Sequence, residues 1–191
     1  YRRIPNDPNS LSSNQVFEFM EDDNGYVWIA TEFGLNRFDT DLKTSVKLFH
    51  NPNNINSISH NNVRTLCLDP QGNYWIGTLN GLDKIDKDLK RIYHYKQDEN
   101  DSTSLSSNRI NKIFFDSYGN LWVGTDNGLN MFNPQTKKWI KYLPDQEDNK
   151  SNITAIYILS IYEDRNRDLW IGTYRGLNKF DRKTKKFKHY K

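Results

Sequence analysis

Four histidines, His50, His60, His94 and His189, and one cysteine, Cys67, are the side chains best suited to metal binding or nucleophilic chemistry. Structural metal sites draw their ligands from closely spaced Cys and His pairs. Here the histidines stand ten or more residues apart with no cysteine partner, so no metal site is expected. Cys67 lies in the apolar run Val63, Leu66, Leu68, which predicts a buried structural thiol, and a single cysteine leaves no intramolecular disulfide. Asp22-Asp23-Asn24-Gly25 and its counterparts share the opening of a calcium loop but lack the distal bidentate Glu, and their regular recurrence is explained by turn geometry. The tryptophans Trp28, Trp75, Trp122 and Trp170 could each stack on a sugar ring. They occupy identical positions in a repeat, however, which predicts an identical packing role. Glycosidase carboxylates are defined by their separation in space, and nothing in the sequence marks such a pair. No catalytic residue and no cofactor is assigned, and the expected activity is binding rather than catalysis.

Composition indicates which elements position these groups. Hydrophobic residues make up 35% of the chain and aromatic residues 14%, with five Trp, eleven Tyr and ten Phe among 191 residues. Apolar content concentrated in large flat side chains favours strands. Asn beside Ser, Asp or Gly recurs throughout and marks tight turns. Four segments align, Gly25 to Asp39, Gly72 to Asp86, Gly119 to Asn133 and Arg167 to Asp181, and their tryptophans give a period of 47 to 48 residues. Each unit divides into four extended stretches. The first covers Val16 to Glu21, Val63 to Leu68, Ile110 to Phe115 and Ile158 to Glu163, and ends at an Asp with Gly three residues on, the signature of a tight hairpin. The second carries Trp-[Ile/Val]-[Gly/Ala]-Thr, whose small residue lies two past the Trp and leaves room for a large neighbour. A turn ending in Gly34, Gly81, Gly128 or Gly176 leads to the third, and the fourth carries Phe49, Tyr95, Tyr142 or Tyr190.

Four antiparallel strands in a repeat of this length form a β-propeller blade. A β-sandwich supplies no reason for the period, and no segment holds a helical one. The expected fold is therefore all-β, four four-stranded antiparallel propeller blades in a single array over residues 1–191. Residues 1–13 read as the tail of a preceding blade and a linker, 14–50 as blade 1, 61–96 as blade 2, 108–143 as blade 3 and 154–191 as blade 4.

The motif Gly-Asn-x-Trp-[Ile/Val]-Gly-Thr-x-x-Gly-Leu-Asn-x-[Phe/Ile]-Asp resembles the two-component regulator propeller repeat. The resemblance implies an extracytoplasmic, periplasmic sensor region of a bacterial hybrid two-component system, glycan-responsive and followed in the parent by a β-sandwich, a membrane helix and a histidine kinase; some relatives are fused to diguanylate cyclases. Blade 4 departs from the pattern, since Arg167 replaces the turn glycine, and a bent or looser hairpin is expected there. Tyr1-Arg2 aligns with Tyr95-Lys96, Tyr142-Leu143 and Tyr190-Lys191, as if four periods had been cut in phase from a longer array. Closure as a four-bladed ring and pairing of two chains are the other outcomes, and isolated chains are expected to self-associate through open blade faces. No apolar run approaches the ~20 residues that span a bilayer, and the first residues do not read as a signal peptide.

Positions that differ between aligned units are free of the shared packing duty. These are the pairs between the Thr and the Gly: Glu32-Phe33, Leu79-Asn80, Asp126-Asn127 and Tyr174-Arg175. In propeller geometry they share a face with the entry to the next blade, near Asn61, Asn62, Arg64, Asn108, Arg109 and Asn111. The candidate ligand-binding residues are Glu32, Phe33, Arg64, Asn80, Arg109, Asp126, Asn127, Tyr174 and Arg175. Asn amides and Arg forks suit an oligosaccharide or another polar small molecule. The formal charge of +3 is spread along the chain, and Lys183, Lys185, Lys186, Lys188 and Lys191 read as the solvated face of a strand, so no nucleic-acid partner is expected. The rival readings are a protein-interaction scaffold and a propeller lyase or hydrolase.

Overall fold

A computed structural model of the chain describes residues 1–144 and 152–190; Lys191, the last of the lysine run and the end assigned to blade 4, lies outside them. All regular elements among the described residues are β-strands. Blade 1 comprises β1 (Val16–Glu21), β2 (Tyr26–Thr31), β3 (Gly34–Asp39) and β4 (Thr44–Leu48). Blade 2 comprises β5 (Val63–Leu68), β6 (Tyr74–Thr78), β7 (Gly81–Ile85) and β8 (Ile92–Tyr95). In blade 3 the strands are β9 (Ile110–Phe115), β10 (Leu121–Thr125), β11 (Gly128–Asn133) and β12 (Lys138–Tyr142), and in blade 4 β13 (Ile158–Glu163), β14 (Leu169–Thr173), β15 (Gly176–Asp181) and β16 (Lys186–Tyr190). Within each sheet the strands lie in chain order. The chain divides into two compact units, Tyr1–His94 with blades 1 and 2 and Tyr95–Lys191 with blades 3 and 4.

The first hairpin of every blade turns on an Asp. Gly25, Gly72 and Gly119 adopt φ of 80°, 83° and 78°, the left-handed backbone that closes the turn. Arg167 adopts φ of 62° at the same place and makes the same bond, its N–H donating to the Asp164 carbonyl at 2.9 Å as that of Gly119 does to Asp116. The expected distortion of blade 4 is therefore absent. A left-handed non-glycine residue costs about 1 kcal/mol, and the Arg182 Nε–H donating to the Arg167 carbonyl at 3.1 Å helps hold it there.

The core of each unit is the seam between its two blades. In the first unit Trp28, Ala30 and Leu35 pack with Val63, Leu66, Tyr74 and Ile76; in the second Trp122 and Leu129 pack with Ile158, Ile161, Leu169 and Phe180. The small residue after the Trp shapes that seam: a Cβ on Gly124 would meet Ile158 Cγ2 at 2.5 Å. Tyr1 lies against Phe38 with ring centroids 4.5 Å apart, as Tyr142 lies against Phe180 at 5.2 Å. Cys67 is half-buried in β5, opposite Trp75, so the expectation of a fully buried thiol is corrected: the innermost strand is covered unevenly on its two faces.

Candidate functional site

The repeated polar residues are occupied in holding the blades. Trp28, Trp75, Trp122 and Trp170 each donate their indole N–H to the Asp six residues earlier, at 2.8, 3.1, 2.8 and 2.8 Å. The hairpin Asp thus serves two elements, its other oxygen accepting backbone N–H groups of the turn. In blade 1 the Asp22 carboxylate also accepts the Tyr74 hydroxyl of blade 2 at 2.8 Å, and in blade 3 Asp116 accepts Arg182 of blade 4 at 2.6 Å. Trp and Asp are therefore a structural pair, as the identical spacing of the tryptophans predicts for the Trp.

Burial pushes the carboxyls of Asp22, Asp69 and Asp116 up, but the hydrogen bonds outweigh it and all three pKa values lie below the ordinary 3.8. For Asp22 the donors are Trp28, Tyr74 and backbone N–H groups; for Asp69 Asn73 leads, then Trp75, with the charge of Lys84; for Asp116 they are Trp122, Asn120 and Arg182. Tyr74, buried and bonded to ionised Asp22, is pushed up to about 12. A lowered carboxylate pKa stabilises the fold above the unfolded-state value, and that stabilisation is lost as pH falls through the folded-state value. The thermal midpoint is therefore expected to hold steady above pH ~4 and to fall steeply below it, with Asp116→Asn flattening the acid limb; an unchanged limb in that variant would refute the assignment.

A second repeated lock sits at the opposite end of each blade. Thr31, Thr78, Thr125 and Thr173 donate their hydroxyls to the carbonyls of Gly34, Gly81, Gly128 and Gly176 and accept the N–H of Phe33, Asn80, Asn127 and Arg175. Buried Asn36, Asn130 and Asn178 tie the preceding linker to this Thr through Ser12, Ser106 and Thr154. Blade 2 has Asp83 at the Asn position. It accepts the N–H of Ser59 at 2.7 Å, the Ser59 hydroxyl at 2.5 Å and His94 Nδ1 at 2.7 Å, while His94 Nε2 faces the Ile55 carbonyl at 2.7 Å. Serine, histidine and aspartate meet here, with Ser59 and Asp83 both buried and bonded to one imidazole nitrogen, and Ser59 clamps the linker to blade 2. His189 does similar work, its Nε2 bonding the Asn152 carbonyl at 2.5 Å, and His50 Nδ1 bonds that of Ile58 at 2.8 Å. Among the described residues no three His, Cys, Asp or Glu side chains are grouped to hold a metal.

What remains at this end is the variable rim. Backbone bonds place each turn beside an entry strand: the N–H of Glu32 reaches the Gln15 carbonyl at 3.0 Å, that of Gly34 reaches Asn61 of the next blade at 2.6 Å, and that of Gly128 reaches Ile156 at 2.6 Å. Glu32 and Phe33 are exposed, and the Phe33 ring lies 5.6 Å from Phe49. That pair borders an open cleft of about 380 Å³ with Arg3, Lys47 and the 4–12 linker. Phe49 is seated on Gly34, where a Cβ would lie 2.8 Å from its ring. Asn80 is half-buried. Arg64 is stacked, its guanidinium 4.3 Å from the centre of the Phe17 ring. Arg109 is exposed, but its Nε pairs with Asp126 at 2.9 Å, and Asp126 also takes the Ser107 hydroxyl at 2.7 Å. Asn127 is exposed and its amide donates to the Ser106 carbonyl at 3.1 Å. Tyr174 and Arg175 are exposed, with Tyr174 6.1 Å from Tyr157. The nine candidates therefore separate into exposed contacts (Glu32, Phe33, Asn127, Tyr174, Arg175), a charge pair already satisfied (Arg109, Asp126), half-buried Asn80, and one stacked arginine. Sequence reading missed Arg3, Lys47 and Tyr157; only the folded linker brings the first two beside Phe33.

Comparison with known proteins agrees with this architecture. The extracellular domain assigned to the hybrid two-component system BT3049 of B. thetaiotaomicron is 24% identical, with a TM-score of 0.67 over 93% of this chain and 30% of that one. Virginiamycin B lyase of Staphylococcus aureus is 14% identical, with a TM-score of 0.63 over 92% of this chain and 55% of the enzyme. YCF48, solved bound to D1 peptide, is 17% identical with a TM-score of 0.61 over 97% of this chain and 55% of that one. This chain thus spans between about a third and about half of those proteins, and the likeness is one of fold. No curated protein matches it. Among the described residues no helix is long and apolar enough to cross a membrane. The two component regulator propeller model matches residues 10–33, 57–80, 104–127 and 151–175, about half of the chain and once in every blade, and the chain belongs to that family.

Proposed function

We propose that this chain is a ligand-binding segment of an extracytoplasmic, periplasmic bacterial two-component sensor, and that it binds a polar small molecule, with oligosaccharides the leading class, without turning it over. The observation that carries this reading is the division of labour within the repeat: the polar groups common to the four blades are spent on Trp, linker and turn bonds, whereas the turn pairs differ and those of blades 1 and 4 stand exposed. The cleft beside Phe33 and Phe49 offers two ring faces for a sugar, with Arg3 and Lys47 for hydroxyl or acidic groups. The signal would pass to the remainder of the parent sensor. Membership of the family and the fold shared with an extracellular two-component domain support the reading.

A thermal-shift screen against neutral and acidic oligosaccharides tests it. A ligand at a hundredfold excess over its Kd stabilises the native state by about 2.7 kcal/mol. A clear rise in midpoint is expected for the cognate sugar, lost in the Phe33→Ala/Phe49→Ala variant and undiminished in Arg64→Ala. A panel in which no sugar moves the midpoint would favour a protein-interaction scaffold instead, and consumption of the sugar would make the chain an enzyme.

A further inference from the structure

At the hairpin end of the second unit, away from the variable rim, a cleft of about 760 Å³ opens along the seam of blades 3 and 4. Three residues that line it break the repeat. Tyr118 stands where the other hairpins carry Asn24, Gln71 and Asn166, Arg167 where they carry glycine, and Lys183 where the other blades carry Asp41, Asp88 and Gln135. The same place on the first unit is a cleft of about 540 Å³ bordered by Asp22, Asp23, Gly72, Lys87 and Asp88, so the seam itself requires no surplus of cations. Arg167 is the most telling of the three. It holds a left-handed backbone, φ of 62°, that glycine adopts freely, and strain of this kind collects at functional sites.

Some of the charges in this cleft are spent and some are not. Arg182 donates from Nη1 to Asp116 at 2.6 Å, from Nη2 to Glu163 at 2.8 Å and from Nε to the Arg167 carbonyl at 3.1 Å. Lys179, farther along the cleft, is tied to Asp168 at 2.5 Å. Arg167, Lys183 and Lys185 are exposed and, among the described residues, form no ion pair. Asp181, the acid beside them, accepts the backbone N–H groups of Lys183 and Thr184 at 2.8 and 3.3 Å, which leaves a surplus of positive charge. Tyr118 gathers the arginines, its ring centre 5.6 Å from the Arg167 guanidinium and 4.7 Å from that of Arg182. Lys185 Nζ lies 5.9 Å from the Phe180 ring, which packs against Trp122 of blade 3, so both walls of the seam belong to adjacent blades of this chain. A planar guanidinium beside an aromatic ring, with two ammonium groups in the same cleft, suits an oxyanion. We infer that this cleft binds the tetrahedral oxyanion of a sulfate or phosphate ester on a small molecule, with Arg167 as its anchor and Lys183 and Lys185 as further donors. The site is separate from the rim cleft at Phe33 and does not rest on it.

Isothermal titration calorimetry at low salt, with glucose 6-sulfate, glucose 6-phosphate and unsubstituted glucose as probes, tests the site. Saturable binding of one equivalent of either ester is expected, with none of glucose, and the tighter ester identifies the group. Arg167→Gly gives the hairpin the residue that the other three blades carry. That variant should keep its circular dichroism and thermal midpoint yet bind the ester about tenfold more weakly, the loss of one charge-assisted hydrogen bond. Lys183→Gln/Lys185→Gln, at exposed positions, should weaken binding to a similar degree and serves if Arg167→Gly does not fold. Lys43→Gln/Lys137→Gln removes the same charge from other turns and should bind as the wild type does, as should the Phe33→Ala/Phe49→Ala variant. Absence of binding by both esters overturns the proposal, as does an affinity unchanged in the cleft variants or lowered equally by Lys43→Gln/Lys137→Gln.

Discussion

Replacing Asp116 by Ala is expected to lower the unfolding free energy by about 3 kcal/mol, the upper end of the cost of leaving buried donors without their acceptor. Its side chain is fully buried and accepts the Trp122 indole N–H at 2.8 Å, the Asn120 amide at 2.9 Å, Arg182 at 2.6 Å and the backbone N–H groups of Tyr118 and Asn120 at 3.0 and 2.8 Å. Deleting the carboxylate leaves the Trp122 indole N–H and the Arg182 Nη1 without their acceptor at the seam of blades 3 and 4, while Arg182 keeps Glu163 and the Arg167 carbonyl. Near the thermal midpoint such a loss amounts to about 10 °C for a chain of this size. Asp164 occupies the same repeat position with less cover and, among the described residues, takes no arginine, so Asp164→Ala should cost less. Urea unfolding followed by tryptophan fluorescence measures both, and equal losses would show that the Arg182 clamp carries nothing.

Gly124→Ala is expected to cost about 2 kcal/mol by overpacking, since the added methyl group would sit 2.5 Å from Ile158 Cγ2 and 2.8 Å from Ile158 Cβ. Ile158 is β-branched and has little freedom to turn away. The first unit carries alanine at the same place: Ala30, fully buried, packs in one cluster with Val63. Ile158→Val keeps both contacting atoms and should not relieve Gly124→Ala; Ile158→Ala removes Cγ2, so part of its own cavity cost of about 2–5 kcal/mol should be recovered when the methyl group of Gly124→Ala fills the space. A double-mutant cycle reads the coupling directly. Strictly additive losses would mean that the two side chains do not share this space.

The strands were legible because their signals are local. The innermost strand of each blade has the bounds that its apolar run and the following Asp indicate, and the turn glycines adopt left-handed backbone. Arg167 defeated the same logic: the turn tolerates a left-handed arginine once its carbonyl is bonded by Arg182, a partner 15 residues away. The role of the hairpin Asp was hidden for a related reason, since turn chemistry alone already accounted for it and its bond to the Trp appears only when the strand folds back. On the rim, exposure followed from the failure of the repeat at Phe33, Tyr174 and Arg175, but pairing did not. Nothing in the sequence says that Arg109 is spent on Asp126 or that Arg64 lies over Phe17.

The threonine at the end of each second strand has a further consequence. Within the turn its hydroxyl bonds main-chain atoms, a carbonyl on one side and an N–H on the other, so the turn keeps its course whichever side chains it carries. Phe-Gly, Asn-Gly and Arg-Gly are all held alike. The blade thus works as a socket with interchangeable fittings: recognition can be rewritten two residues at a time, blade by blade, while the frame that displays them pays nothing for the change.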